Sequence, residues 1–244
     1  GGERWLLYCV LPAGPQEPEA PPGVEDEPVI VASTSSLGVA TSRISLSALT
    51  PTLSRVRAYQ RVIEAFHRNQ TVIPMRYGSV CETQGEALRF LEERRDEYRA
   101  LLHELGNRVE MGIRILLPAA PGRGPGAGAV TAVASGSGRA YLAAQQERYT
   151  AQDRAAAEHE RIPDRICTSL AGLFVGSRRE RASWAGSRLL SLYFLVPRNQ
   201  VEPFRQAFQE LGSRESAKLL LTGPWPPYNF VLSARIPKCE NGPA

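Results

Sequence analysis

Eleven residues near the end of the chain restrict its fold more than any others: Leu221-Thr222-Gly223-Pro224-Trp225-Pro226-Pro227-Tyr228-Asn229-Phe230-Val231. An apolar run, Leu219 to Leu221, leads in, and Phe230 to Leu232 leads out. Between them stand three prolines, one glycine and two large aromatics. Proline fixes φ and removes a backbone donor, so Gly223 to Pro227 is barred from helix and from a central strand. Each residue before a proline is pushed towards extended geometry. The segment reads as a stiff bend between two strands, carrying Trp225 and Tyr228 with little backbone entropy left to lose. Burying an aromatic this size removes ~150–250 Å² from water, about 4–6 kcal/mol as an upper bound. The bend is therefore either the lid of a core or a rigid aromatic anchor for a partner.

The chain ahead of it reads in order. Trp5 to Leu11 is a buried strand. Pro12 to Pro28 is a solvated loop. Val29–Ala32 and Leu37–Ile44 are two short strands. Thr50 and Pro51 carry the signature of a helix start, and the helix should end near Asn69. Thr71 to Val80 reads as a strand, with Pro74 marking an edge or a bulge. Thr83 and Glu86 form a capping box for one helix, whose stripe is Leu88, Leu91, Tyr98, Leu102 and Leu105 and whose C-cap is Gly106. Val109, Met111, Ile113 and Ile115 alternate with Glu110, Gly112 and Arg114, the period of a half-buried strand. Glu110 is placed for a cross-strand ion pair with Arg76.

Pro118 to Gly138 is a linker of Pro, Gly, Ala and Ser. It separates a first domain, residues 1–117, from a second, 139–236, with a tail at 237–244. In the second, Arg139 to about Arg161 is a polar helix, and Pro163 kinks it or starts another. Ile166, Leu170 and Leu173 make a stripe. Ser177 to Ser187 is a charged turn. Leu189 to Val196, apolar on both faces, is a central strand. Asn199 and Glu202 cap a helix with Val201, Phe204, Phe208 and Leu211 on one side. Lys218–Leu221 and Tyr228–Ser233 are strands on either side of the bend. The fold class is α+β in two domains, the first an α/β sandwich with a mixed sheet and helices on one face.

Chemistry is sparse. No G-x-S-x-G elbow, Walker loop or H-E-x-x-H is present, and Lys218 and Lys238 are the only lysines. His67, His103 and His159 stand singly in polar parts of helices and read as surface or helix-end residues. Cys9, Cys81, Cys167 and Cys239 are far apart, which argues against disulfides and zinc and fits a reducing cytoplasm. No apolar run approaches the ~20 residues that span a bilayer. The chain begins without methionine, as a trimmed or tagged end does, and shows no signal peptide. Hence no catalytic residue, metal or cofactor is assigned.

Several of these segments together resemble the gas vesicle GvpF/GvpL family. Val72-Ile73-Pro74-Met75-Arg76-Tyr77-Gly78-Ser79-Val80 is similar to its V-x-P-x-R-[FY]-G strand. Gly106-Asn107-Arg108-Val109-Glu110-Met111-Gly112-Ile113 resembles its G-x-V-E strand. Gly138-Arg139-Ala140-Tyr141-Leu142 resembles the G-x-x-Y-L opening of a second-domain helix. Leu221 to Phe230 is close to L-T-G-P-W-P-P-Y-x-F, the most specific of these. Trp5 to Pro12 matches the opening strand more loosely, with Leu6 where an aromatic often stands.

The resemblance implies two α+β domains, the second a modified ferredoxin-like one. It also implies a non-enzymatic accessory or minor structural protein of gas vesicles. Such a protein would bind the hydrophobic shell-forming subunit, assist its assembly and associate with other accessory proteins. It would be cytoplasmic and at the gas vesicle, with the shell's gas-facing side as one location. The resemblance supplies no binding site, so physics proposes one: Trp225 and Tyr228 as anchors, with Pro224 and Pro226 stiffening them, beside Pro74 and Arg76 on an imperfectly paired edge. Gly78, Glu110, Gly223, Pro227 and Phe230 are structural members of the motifs. The competing reading has both motifs seal the junction between domains. Two rival classes stay open. A ferredoxin-like nucleic-acid-binding module fits the net charge of +4, although no aromatics recur beside basic residues on strands as RNA recognition requires. A small-molecule enzyme with an inter-domain cleft would need a buried, shifted Glu110. The favoured reading has no nucleic-acid or membrane partner.

Overall fold

A computed structural model describes residues 2–14, 19–117, 146, 161–184, 187–215 and 217–231. The proposed linker at 118–138, the G-x-x-Y-L segment, the 139–161 helix up to residue 160, His159 and the 237–244 tail lie outside the described residues, residue 146 apart. The chain divides into two compact units. The first comprises residues 1–111, 194–199 and 223–244; the second comprises 112–193 and 200–222.

The first unit is built on strand β1 (Glu3–Pro12), β2 (Ile30–Ser33) and β3 (Leu37–Ser45). Helix α1 (Leu53–Asn69) follows, then two short strands, β4 (Ile73–Pro74) and β5 (Val80–Cys81). The sheet runs β2-β3-β1-β4, with β5 also paired to β1. Its pairings are antiparallel rather than mixed. Strands β3 and β4 point the same way, but β1 separates them, so no parallel ladder forms. The expected strand over Thr71–Val80 is two fragments. Pro74 cannot donate to the ladder, and a tight turn follows in which the Ser79 N–H donates to the Arg76 carbonyl (3.0 Å) and Gly78 takes φ +88°.

The centre of this unit is a bulge in β1. Leu7 faces Thr41 and Cys9 faces Ala40, leaving Tyr8 as the extra residue. Its ring is fully buried and stacks on Tyr59 of α1 at 4.9 Å. The Tyr8 hydroxyl bonds to Ser42 Oγ (2.8 Å) and accepts the Val24 N–H (3.0 Å). Tyr59 donates to the Leu7 carbonyl (2.7 Å) and lies 3.1 Å from that of Arg76. Two helix starts differ from expectation. A 3-10 turn at Leu46–Leu49 consumes Thr50, so α1 is capped by Thr52, whose side chain accepts the Arg55 N–H at 3.3 Å. Thr83 does cap the next helix, but the Glu86 carboxylate accepts the N–H of Glu82 rather than that of Thr83. That helix is broken at Arg94 (φ −117°, ψ 19°) into α2 (Gln84–Glu93) and α3 (Arg95–Glu104). Leu91, Tyr98, Leu102 and Leu105 still form one buried stripe. Leu105, not Gly106, is the C-cap, and Asn107 takes the left-handed conformation (φ 53°).

His67 corrects the surface reading of the histidines: it is 6% exposed, near the end of α1. Burial, reinforced by the positive charge of nearby Arg198, holds the imidazole down to about 4 from 6.5. The unfolded chain therefore takes up a proton that the folded chain refuses. Stability should be level above about pH 6.5 and fall by about 1.4 kcal/mol per pH unit towards pH 4 on account of this group. Urea unfolding of the unchanged chain against His67→Gln checks this; equal slopes would refute it.

The second sheet contains β6 (Arg108–Leu117), β7 (Gly176–Trp184), β8 (Ser187–Pro197) and β9 (Lys218–Trp225), in the order β7-β8-β6-β9. As expected, the apolar Leu189–Val196 run is in a central strand. The supposed charged turn is instead β7, an edge strand. Its exposed Arg178, Arg179, Glu180 and Arg181 suit an edge, where charge discourages pairing with another chain. Helix α4, described over residues 161–169, and α5 (Val201–Gly212) supply buried Ile162, Ile166, Phe204 and Leu211 to the second unit. Ile113, Ile115, Leu190 and Leu192 are buried strand residues of the same unit. Asn199 does not cap α5: the N-cap is Gln200, without a side-chain bond. After β9 the chain forms a 3-10 turn at Tyr228–Phe230, where the sequence suggested a strand. The Phe230 N–H bonds back to the Pro227 carbonyl (3.1 Å), which closes a turn instead.

Candidate functional site: the proline bend

The bend begins inside β9, an edge strand, where prolines are tolerated. Gly223 has φ +104°, a conformation L side chains rarely adopt, and the Gly223–Pro224 peptide is cis. A Cβ at Gly223 would lie 2.6 Å from the Glu110 carbonyl oxygen and 3.2 Å from Met111 Sδ. Glycine is thus required twice, for its angle and for its absent side chain. Pro224 and Trp225 then face solvent, Trp225 at 42% exposure. Pro226 and Pro227 are buried, as are Phe230 and Val231. Tyr228 packs against the first unit's core, among whose members are Tyr8, Cys9 and Tyr59. Its hydroxyl is buried, and that burial, reinforced by nearby Glu64, pushes its pKa well up. The two aromatics of the motif therefore have different surroundings: Tyr228 is seated inward and Trp225 is presented outward.

Glu110 holds the turn. It is 3% exposed, and its carboxylate accepts the Asn229 main-chain N–H (2.7 Å) and the Asn229 Nδ2 (2.6 Å). A buried carboxylate needs such donors. The sequence reading gave Glu110 a partner in Arg76, but Arg76 is exposed, at the turn that follows β4. Pro74 is buried on β4, opposite Cys9. Gly78 supplies the positive φ of the turn, with open space where its Cβ would be. Tyr59 is the shared neighbour of these motifs. It reaches the Arg76 carbonyl, meets Tyr77 edge-on at 5.2 Å, and belongs to the core against which Tyr228 packs. Asn229 and Tyr59 are the two members that sequence reasoning missed. The period-two pattern puts Glu110 on the polar face of a half-buried strand with Gly112 and Arg114, but residues 109–113 are all buried, so the sequence carried no signal that Glu110 would need a buried donor.

Among the described residues, no helix is long and apolar enough to cross a membrane. No group of three or more His, Cys, Asp or Glu side chains is gathered there as metal ligands would be.

Comparison with known proteins decides the family. The profile described as "Gas vesicle synthesis protein GvpL/GvpF" matches residues 4–232. The chain belongs to the GvpL/GvpF family. It is 29% identical over 187 residues to gas vesicle protein L of Streptomyces sp. strain CB03234, covering 72% of this chain and 68% of that one. It is 25% identical over 200 residues to gas vesicle protein F2 of Halobacterium salinarum, covering 80% and 76%. The fold matches the crystal structure of GvpF from Microcystis aeruginosa with a TM-score of 0.72, at 15% identity and over 93% and 98% of the two chains. The α+β fold read from the sequence is therefore that of the family, and the role of this GvpL/GvpF chain is a gas vesicle one.

Proposed function

We propose that this chain is a non-enzymatic accessory or minor structural protein that binds the hydrophobic shell-forming subunit of the gas vesicle and assists its assembly, alongside other gas vesicle accessory proteins. It would work in the cytoplasm and at the vesicle. The observation that carries this reading is Trp225, a large aromatic left 42% exposed on a backbone stiffened by three prolines. Little entropy is lost when such a side chain is covered, and tryptophan is a frequent hot spot at interfaces. A shell-forming subunit offers apolar surface before it assembles, the chemistry that an outward indole fits.

The test is co-expression with the shell-forming subunit and capture of the complex across a range of salt, with RNA as a control. Capture of the subunit that resists salt is expected. Trp225→Ala should weaken it by about tenfold or more, while changing stability by only about 1 kcal/mol, since the ring is already half in solvent. Full binding by the variant, or salt-sensitive RNA binding in place of subunit binding, would refute the proposal.

A further inference from the structure

Glu110 meets the bend on both sides of Trp225, at Gly223 and at Asn229. Gly223 is pressed against the Glu110 main-chain carbonyl so closely that no Cβ fits. Asn229 gives both its N–H and its side-chain Nδ2 to the Glu110 carboxylate. The Tyr228 N–H donates to the Pro226 carbonyl (2.7 Å) and the Phe230 N–H to that of Pro227 (3.1 Å). The restraint at Asn229 is thereby passed back through the prolines. Between the two grips, Pro224 and Trp225 project into solvent. One buried residue, placed on an adjacent strand, brackets the exposed indole.

We propose that Glu110 is the positioning residue of the Pro224–Trp225 surface: it clamps the bend at both ends and so fixes the direction of the indole. This rests on the reading that the surface binds a gas vesicle shell subunit. The side-chain half of the clamp depends on charge and donor identity, not on shape. Asn229→Asp is nearly isosteric, yet it sets a second carboxylate against the first at about hydrogen-bond distance, where like charges repel. Glu110→Gln is milder. The Asn229 amide turns over, Oδ1 accepts from the newly introduced Nε2, and the Asn229 N–H keeps its oxygen acceptor. In the double variant, the amide introduced on β6 donates to the carboxylate introduced on the bend, and its oxygen still accepts the main-chain N–H there. The clamp is rebuilt with its polarity reversed.

The experiment uses the full chain and its three variants, N229D, E110Q and E110Q/N229D. Amide exchange at Trp225, Tyr228, Asn229 and Phe230 reads the clamp without a partner; capture of the shell-forming subunit reads the surface. Near neutral pH, N229D should lose about tenfold or more in both protection and affinity, the size expected for hydrogen bonds to a charged group. E110Q should lose less, and the double variant should recover most of what N229D lost. Wild-type protection in N229D, or no recovery in the double variant, overturns the clamp. Failure of the unchanged chain to capture the subunit, with the exchange pattern intact, overturns the reading of function instead.

Discussion

Gly223→Ala should destabilise the protein by about 3–4 kcal/mol, since a strained φ and a steric clash with rigid backbone act together. The glycine has φ +104°, and the new methyl group would meet the Glu110 carbonyl oxygen at 2.6 Å. That oxygen belongs to a strand and cannot turn aside as a flexible side chain can. Gly78→Ala is the matched control. Its φ is +88°, but nothing lies within 4 Å of where its Cβ would be. Only the conformational term remains there, about 1 kcal/mol or a little more. Urea unfolding of both variants measures the difference. Equal losses would show that the contact with Glu110 is not what excludes a side chain at Gly223.

Tyr8→Ala should cost about 4 kcal/mol, and Tyr8→Phe about 1–3 kcal/mol. The ring fills the centre of the first unit and stacks on Tyr59, so its removal leaves a cavity in a packed core. The hydroxyl satisfies the buried Val24 N–H and pairs with Ser42. The phenylalanine variant isolates that part. A Cβ at Gly23 would come within 2.3 Å of the same hydroxyl, so Gly23→Ala should repeat much of the Tyr8 phenotype. Thermal or urea unfolding of the three variants checks the ranking; a Tyr8→Phe variant as stable as the unchanged chain would assign all the stabilisation to the ring.

The elements that could be read from the chain are those whose signal is local. The apolar run of β1, the strands β2 and β3, and the end of α1 at Asn69 all carry their signal in neighbouring residues. The stretch from Thr71 to Val80 was harder, because its apolar character is real while Pro74 and Gly78 break the ladder within it. Strand β7 was missed for a physical reason: an exposed edge protects itself with charge, and charge imitates a turn. At the candidate site, the stiffness of Gly223–Pro227 was legible because proline acts on its own backbone. The opposite placements of Trp225 and Tyr228 were not, since they depend on which core the bend meets. Nor was the Glu110–Asn229 pair, whose members stand 119 positions apart. No periodicity links two such residues; only the folded chain does.

The membership of the first unit bears on how the protein is made. Residues 223–231 belong with residues 1–111. A ribosome therefore delivers residues 112–222 before that unit has all its parts. Until then the Glu110 carboxylate lacks the donors of Asn229, and the core around Tyr8 and Tyr59 lacks the cover of Tyr228. Domains usually complete themselves in the order of synthesis; here residues 1–111 wait for residues made after the whole of the other unit. A nascent chain halted before Gly223 should thus be more open to proteolysis in its first 111 residues than the released protein is.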